Sequence, residues 1–137
     1  MKIRVQKKAL VIALVTTAFL IWAPPRAGSE ENPDQVLEWN QIFIDTLIVT
    51  NTPNSSSQRL GAIVHTAIFD AYNGIERRYE PLFIKKDAPA GASRRAAVIA
   101  AAHTALVGLF LSRKPQLDDI FQASLAALSD DGEDGGE

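Results

Sequence analysis

The sequence predicts an all-α fold: a partial bundle of four helices that follows an N-terminal signal segment. Apolar residues recur at helical spacing in four stretches of the chain, and no stretch alternates apolar with polar residues as a strand does. Polar or Pro/Gly-containing segments separate these stretches. The 137 residues include no Cys, so packing without disulfides must hold the helices together.

The first 29 residues are expected to be a secretory signal peptide. Four basic residues between positions 2 and 8 precede an uncharged apolar run from Ala9 to Ala23, which is shorter than the roughly 20 residues that cross a bilayer. The small residues at positions 27–29 suit a cleavage site. The protein is therefore expected to be exported, to the periplasm or the extracellular space. An uncleaved N-terminal anchor is the alternative, with Trp22 at the membrane interface.

Charge argues against a nucleic-acid partner. Removing residues 1–29 would leave nine basic and sixteen acidic side chains, a net charge of −7. An acidic chain is repelled by the phosphates of a nucleic acid.

The first helix of the region 30–128 is expected to start with Asn32 as the N-cap, Pro33 at the first helical position and Gln35 completing a capping box. An apolar stripe follows through Val36, Trp39, Ile42, Phe43, Leu47 and Ile48. The polar segment 50–57 is expected to be a loop whose serines cap the next helix. Together the two helices would form an antiparallel hairpin.

The stretch 60–75 is expected to be the central helix, buried over most of its circumference, with Asn73-Gly74 as its C-terminal stop. Its polar residues His65 and Asp70 lie about 140° apart around the helix axis, so each needs its own partner. We expect Asp70 to accept from backbone N–H groups or from a nearby arginine. His65 is expected to reach the first helix or a downstream region.

Residues 76–91 carry no sustained period and are expected to form a long ordered loop, a kind of loop that is often functional. Ser93 is then expected to cap a third helix that is rich in Ala and contains His103.

Pro115 is expected to open the fourth helix, with Asp118 and Asp119 in its first turn. The segment 129–137 has five acids and no apolar residue, and it is expected to be a disordered tail.

The sequence offers little for catalysis. His65 and His103 are the only histidines, and each lies on an apolar helix without a second His or a Glu at metal-binding spacing, so both are expected to be structural polar residues, as is Asp70. Glu38, Asp45 and Asp70 could face one another between the first two helices. We assign no catalytic, cofactor-binding or metal-binding residue.

Three basic pairs bracket the long loop: Arg77-Arg78, Lys85-Lys86 and Arg94-Arg95. They could form a surface that attracts anions. The alternative is ordinary solvated surface charge.

The series Leu37-Glu38-Trp39-Asn40, then residues 59–75, then Ala90-Gly91-Ala92-Ser93 leading into the helix with His103, resembles the N-terminal helical region of bacterial vanadium-dependent haloperoxidases and their relatives in the type 2 phosphatidic acid phosphatase superfamily. The resemblance spans residues 36–128. It implies an α-helical fold in which a later part of the chain holds vanadate or phosphate.

The family motifs for that oxyanion are Lys-x6-Arg-Pro, Pro-Ser-Gly-His and Ser-Arg-x5-His-x3-Asp, and none of them occurs here. Ser93-Arg94 precedes His103 by eight intervening residues, and Val107 stands where the Asp would be. Vanadate is thus implied only for a complete family member, and no catalytic residue is carried over.

Two functions are expected from these observations. The first is a non-catalytic N-terminal fragment of an exported enzyme of this kind, whose partner would be a downstream catalytic region. The alternative is a small exported helical binding or interaction module, which would be a compact four-helix bundle or a homo-oligomer such as a homodimer. Membrane contact is expected only through an uncleaved signal segment.

Overall fold

The computed structural model describes residues 34–86 and 88–130, with side chains described up to residue 128. Four α-helices follow one another: α1 (Gln35–Val49), α2 (Asn54–Glu76), α3 (Arg94–Leu109) and α4 (Lys114–Asp130), with a short 3-10 helix, Leu111–Arg113, just before α4. The described ranges contain no strand, so the predicted all-α fold is confirmed. The expected signal segment, Asn32 and Pro33, and the acidic tail beyond Asp130 lie outside the described residues.

Helix α3 is the centre of the fold. It packs against α1, α2, α4 and the 3-10 helix, whereas the hairpin contact between α1 and α2 is small. The core side chains come from all four helices: Trp39, Phe43, Val64, Ile68, Val98, Ile99, Ala102, Leu106, Phe110 and Leu117. Small alanines along α3 let its neighbours approach closely, which places this helix in the middle.

The expectation that α2 is the central helix was wrong, and its expected burial on most sides holds only for its C-terminal half, residues 66–76. Helix α3 covers the α2 face that carries Val64 and Ile68. The opposite side is covered only near the end of α2, where Asp70 and Asn73 are buried. Ile63 and Tyr72, which were expected in its buried face, are 40% and 42% exposed.

Polar side chains set the starts of α1 and α3. The Asp34 carboxylate accepts hydrogen bonds from the N–H groups of Val36 and Leu37, at 2.8 and 3.3 Å, so α1 begins at Gln35 and Asn32 is not its N-cap. Asp at this position satisfies N–H groups that have no partner inside the helix and also complements the helix dipole. Ser93 caps α3 as predicted, accepting from Ala96 N–H at 3.2 Å.

Helix α2 starts earlier and ends later than predicted. It begins at Asn54, so the serines of the 50–57 segment lie inside its first turn and do not cap it; the Ser57 hydroxyl donates to the Asn54 carbonyl at 2.7 Å. Arg77, at φ 54°, takes the left-handed conformation that ends the helix.

Gly74 is therefore a residue of α2 and not its stop. A Cβ atom at this position would lie 3.3 Å from the Lys86 carbonyl oxygen, and the Gly74 carbonyl accepts from Ala88 N–H at 3.1 Å. The absent side chain lets the returning loop lie directly against the helix.

Helix α4 begins at Lys114, so Pro115 is its second residue, and Asp118 and Asp119 lie beyond its first turn. The 3-10 helix Leu111–Arg113 runs directly into α4 at Lys114, so the helix does not begin at Pro115 as the sequence predicted. The helix extends to Asp130, past the expected boundary at residue 128.

Within the described part, no single helix has both the length and the apolar composition to cross a bilayer. Arg94–Leu109 together with Leu111–Leu128 reaches that length and composition as a pair bent by 119°.

Candidate functional site

The long loop after α2 is held by a single buried carboxylate. Asp70, 3% exposed on α2, accepts backbone hydrogen bonds from Leu82 N–H at 2.8 Å, Phe83 N–H at 2.8 Å and Ile84 N–H at 2.9 Å. The sequence left two kinds of donor open for Asp70, backbone N–H groups or a nearby arginine. In the structure the donors are backbone N–H groups. Three donors converging on one carboxylate favour its charged form.

The pKa of Asp70 reflects two opposing effects. Burial of the carboxyl raises it, and the N–H groups of Ile84, Leu82 and Phe83 lower it; the net result is a pKa below the ordinary value of an aspartate. Asp70 is therefore a carboxylate at neutral pH, able to accept from all three donors.

Asn73 continues this anchor one helical turn further along α2. It is 4% exposed, its Nδ2 donates to the Tyr79 carbonyl at 2.7 Å, and its Oδ1 accepts from Tyr79 N–H at 2.9 Å. The sequence assigned Asn73 to a helix stop and missed this contact. The available signal was its position three residues after Asp70, which puts both side chains on one face of α2.

Asp70 and Asn73 hold the backbone of Tyr79, Leu82, Phe83 and Ile84 while the side chains of these four residues are exposed. We call Tyr79, Leu82, Phe83 and Ile84 the apolar loop tip; they are 69%, 59%, 79% and 60% exposed. The Tyr79 ring also lies 6.1 Å from the Phe69 ring, between centroids. Large apolar side chains held outward in one short segment are typical of an interaction surface.

The basic pairs around the loop are in two different situations. Glu76 pairs with Arg78 (Nε to Oε2, 3.1 Å) and with Arg94 (Nη1 to Oε1, 2.9 Å), which ties the end of α2 to the start of α3. Lys85 and Lys86 are exposed, directly after the apolar loop tip. Glu76 thus offsets part of the positive charge of the predicted anion-attracting surface. The charges of Lys85 and Lys86 remain exposed to solvent.

A cleft of about 310 Å³ lies beside these ion pairs, lined by residues 75–77 and 88–94. Glu76 and Arg94 both line it, and because they pair with each other they contribute little net charge to the cleft.

His103 is the centre of a second polar cluster, between α3 and α4. Its Nε2 lies 2.8 Å from Asp118 Oδ1, and its ring stacks on Phe121 with 4.3 Å between centroids. Lys114 donates to the other oxygen of Asp118. The hydrogen bonds from Lys114 and then His103 hold the pKa of Asp118 below its usual value. The cluster joins two helices, as a structural histidine does.

His65 is exposed, which corrects the expectation that it is carried into packed surroundings. Its Nε2 lies 3.0 Å from Asn40 Oδ1, so it does reach the first helix, but at the surface. His65 lies outside the α2 face that Val64 and Ile68 bury in the core.

The three carboxylates that could have met between α1 and α2 do not. Glu38 accepts from the Ser124 hydroxyl of α4 at 3.1 Å, Asp45 accepts from Gln41 at 2.9 Å, and Asp70 holds the loop. Among the residues that the structure describes, no group of three or more His, Cys, Asp or Glu side chains could hold a metal ion.

Helix α1 carries a second apolar face that the sequence did not separate from the first. Leu37, Ile44 and Ile48 are 67%, 38% and 71% exposed, although Ile48 was expected in the buried stripe. At 100° per residue they fall within about 40° of one another, on the side of the helix opposite Trp39 and Thr46. We call these three residues the outer stripe of α1. Their spacing of seven and four residues was the signal for a second contact face.

Comparison with known proteins found no matching family model, no matching curated protein and no matching solved structure.

Proposed function

We propose that this chain is the non-catalytic N-terminal helical region of an exported enzyme related to vanadium-dependent haloperoxidases and type 2 phosphatidic acid phosphatases, and that it acts by packing against a catalytic region. The observation that carries the proposal is the outer stripe of α1. A helix with apolar faces on two opposite sides is built to be covered on both. The core covers one face, and the partner covers the other.

The resemblance over residues 36–128 supports the identity of the partner. The three oxyanion-binding motifs of the family are missing from this sequence, so the vanadate or phosphate chemistry belongs to the partner. Several convergent cations and a histidine are needed to hold such an oxyanion. Here His65 bonds Asn40 and His103 bonds Asp118, each in a structural contact.

Reading the DNA after the codon for Glu137 is the first test. We expect a frame, interrupted or separate, that encodes Lys-x6-Arg-Pro and Pro-Ser-Gly-His. A surrounding sequence without such a frame would contradict the proposal.

Complementation is the second test. The full chain alone is expected to be inactive with vanadate, bromide and peroxide, and with a phosphomonoester; coexpression with the encoded catalytic region is expected to give activity. Ile48→Lys should abolish this complementation, because it places a charge in the contact. Gln58→Lys, at an exposed site on α2, is the matched control and should leave it intact. Turnover by the purified chain alone would overturn the proposal.

A second candidate is a self-sufficient exported binding module that forms a homodimer through the same stripe. The hydrophobic core favours this second candidate. Ten buried apolar residues form one cluster that joins all four helices, as in a domain that folds on its own. Sedimentation distinguishes the two functions: a dimer that Ile48→Lys converts to a monomer supports the module, whereas a monomeric parent chain supports the first proposal. Cooperative unfolding in urea with a single transition would also favour the module.

A further inference from the structure

The apolar loop tip differs from an ordinary exposed apolar patch in the state of its backbone. The N–H groups of Leu82, Phe83 and Ile84 are all bonded to the buried Asp70 carboxylate, and both backbone groups of Tyr79 are bonded to Asn73. A loop that enters an apolar environment normally leaves such groups without partners, at a high cost in free energy. Here those five groups keep their partners when water is removed.

The side chains of the tip have the composition of a membrane-inserting segment. Leu82, Phe83 and Ile84 are consecutive and more than half exposed, and Tyr79, with an aromatic ring and a polar hydroxyl, suits the interface between headgroups and acyl chains. Because Asp70 fixes the loop in advance, little conformational entropy is lost when the tip is buried.

Basic residues flank the tip on both sides. Lys85 and Lys86 follow it directly, and Arg77 and Arg78 precede Tyr79, all four exposed. Residues 76–86 contain four basic residues and two acidic ones, Glu76 and Glu80, and Glu76 pairs with Arg78. Their net charge is +2, which Asp87 reduces to +1 for residues 76–87, in a chain whose total is −2. Local positive charge around an apolar tip complements the headgroups of anionic lipids.

We propose that the apolar loop tip inserts into the headgroup region of an anionic lipid bilayer, with Lys85 and Lys86 contacting the lipid phosphates. This adds a membrane contact to the one expected of an uncleaved signal segment, and it is independent of the function proposed above.

Labelling tests the insertion on the full chain, which contains no Cys of its own. An environment-sensitive fluorophore is attached to Phe83→Cys or, as the control, to Gln122→Cys on the exposed face of α4. Vesicles of phosphatidylcholine alone are compared with vesicles that also contain phosphatidylglycerol. Because an inserted N-terminal segment would bring both labels to the vesicle alike, only a difference between the labels reports the loop.

We expect a blue shift at position 83 with anionic vesicles, none at position 122, and little with neutral vesicles. The double variant Lys85→Gln/Lys86→Gln should weaken the apparent vesicle affinity at position 83 about thirtyfold, since each lysine near an anionic surface contributes about fivefold. High salt should act in the same direction. Equal responses at the two labels, or no shift at position 83 on anionic vesicles, would overturn the proposal and leave the tip as a surface for a protein groove.

Discussion

The carboxylate of Asp70 accepts a hydrogen bond from the backbone N–H of Phe83, thirteen residues later in the chain, at 2.8 Å. The contact joins a buried side chain to the backbone of a residue whose own side chain is 79% exposed. Asp70 thus anchors the loop to helix α2, and the anchored loop exposes apolar side chains to solvent.

Asp70→Ala is expected to lower the free energy of unfolding by about 1–3 kcal/mol, because three backbone donors lose a buried partner. Urea unfolding measures the change. Asp45→Ala is the control, since Asp45 is exposed and bonds only to its helix neighbour Gln41 in the described contacts; its effect should stay within about 0.5 kcal/mol. Equal midpoints for the two variants would mean that Asp70 does not support the fold.

Asn73→Asp tests the donor half of the Asn73 contact. The substitution keeps the shape and the acceptor for Tyr79 N–H, but it places a carboxylate oxygen against the Tyr79 carbonyl, now 2.7 Å from Nδ2. We expect a loss of about 1–3 kcal/mol in the free energy of unfolding at neutral pH. A smaller difference in stability from the parent chain in acid, where the new carboxyl is protonated and can donate, would identify the donor as the cause.

Acid should destabilise the protein through Asp70. Its folded-state pKa lies below the ordinary value, so its contribution to stability is complete above about pH 4 and is lost as the pH falls through the lower, folded-state pKa. Asp118, held below its usual pKa by Lys114 and His103, acts in the same direction. We expect urea midpoints to fall below about pH 4 in the parent chain, and to fall less steeply in Asp70→Asn. Identical pH profiles would contradict this assignment.

Two glycines on helices should respond oppositely to Ala. A Cβ at Gly61 would lie 3.2 Å from Cε1 of the buried Phe43 ring, whereas a Cβ at Gly108 meets nothing within 4 Å. Gly108→Ala should therefore stabilise the protein by about 0.5 kcal/mol through helix propensity. Gly61→Ala should destabilise it by about 1 kcal/mol, because a packed ring must move. Thermal unfolding of both variants checks the pair, and stabilisation by both would show that α1 and α2 are loosely packed at this point.

Helical periodicity was sufficient to predict the four helices and the all-α fold, and local chemistry placed the Ser93 cap. The predicted boundaries of α2 were wrong because no side-chain cap marks them. Backbone conformation alone sets the start of the helix after Pro53 and its end at Arg77. Asn73-Gly74 has the composition of a stop, but packing of the loop against Gly74 overrides it.

Burial was harder to predict than helicity. Periodicity identifies an apolar face but does not say what covers it, so Ile48 and Ile63 were assigned to buried faces although they are exposed. The partner of Asp70 could be narrowed to two kinds of donor from its burial alone. The actual donors to Asp70 are three consecutive N–H groups of the loop. They could not be predicted, because the path of the loop depends on packing and not on local sequence.

Amide hydrogen exchange in the parent chain and in Asp70→Asn is the most direct measurement of whether Asp70 organises the loop. The account predicts that the Leu82, Phe83 and Ile84 amides are protected in the parent although their side chains are exposed. The variant should lose protection at these three amides by about tenfold or more, because the charged acceptor is replaced by a neutral amide that offers fewer acceptor sites. Amides in the middle of α3 should keep their protection. Rapid exchange of all three loop amides in the parent, or unchanged protection in the variant, would contradict the account.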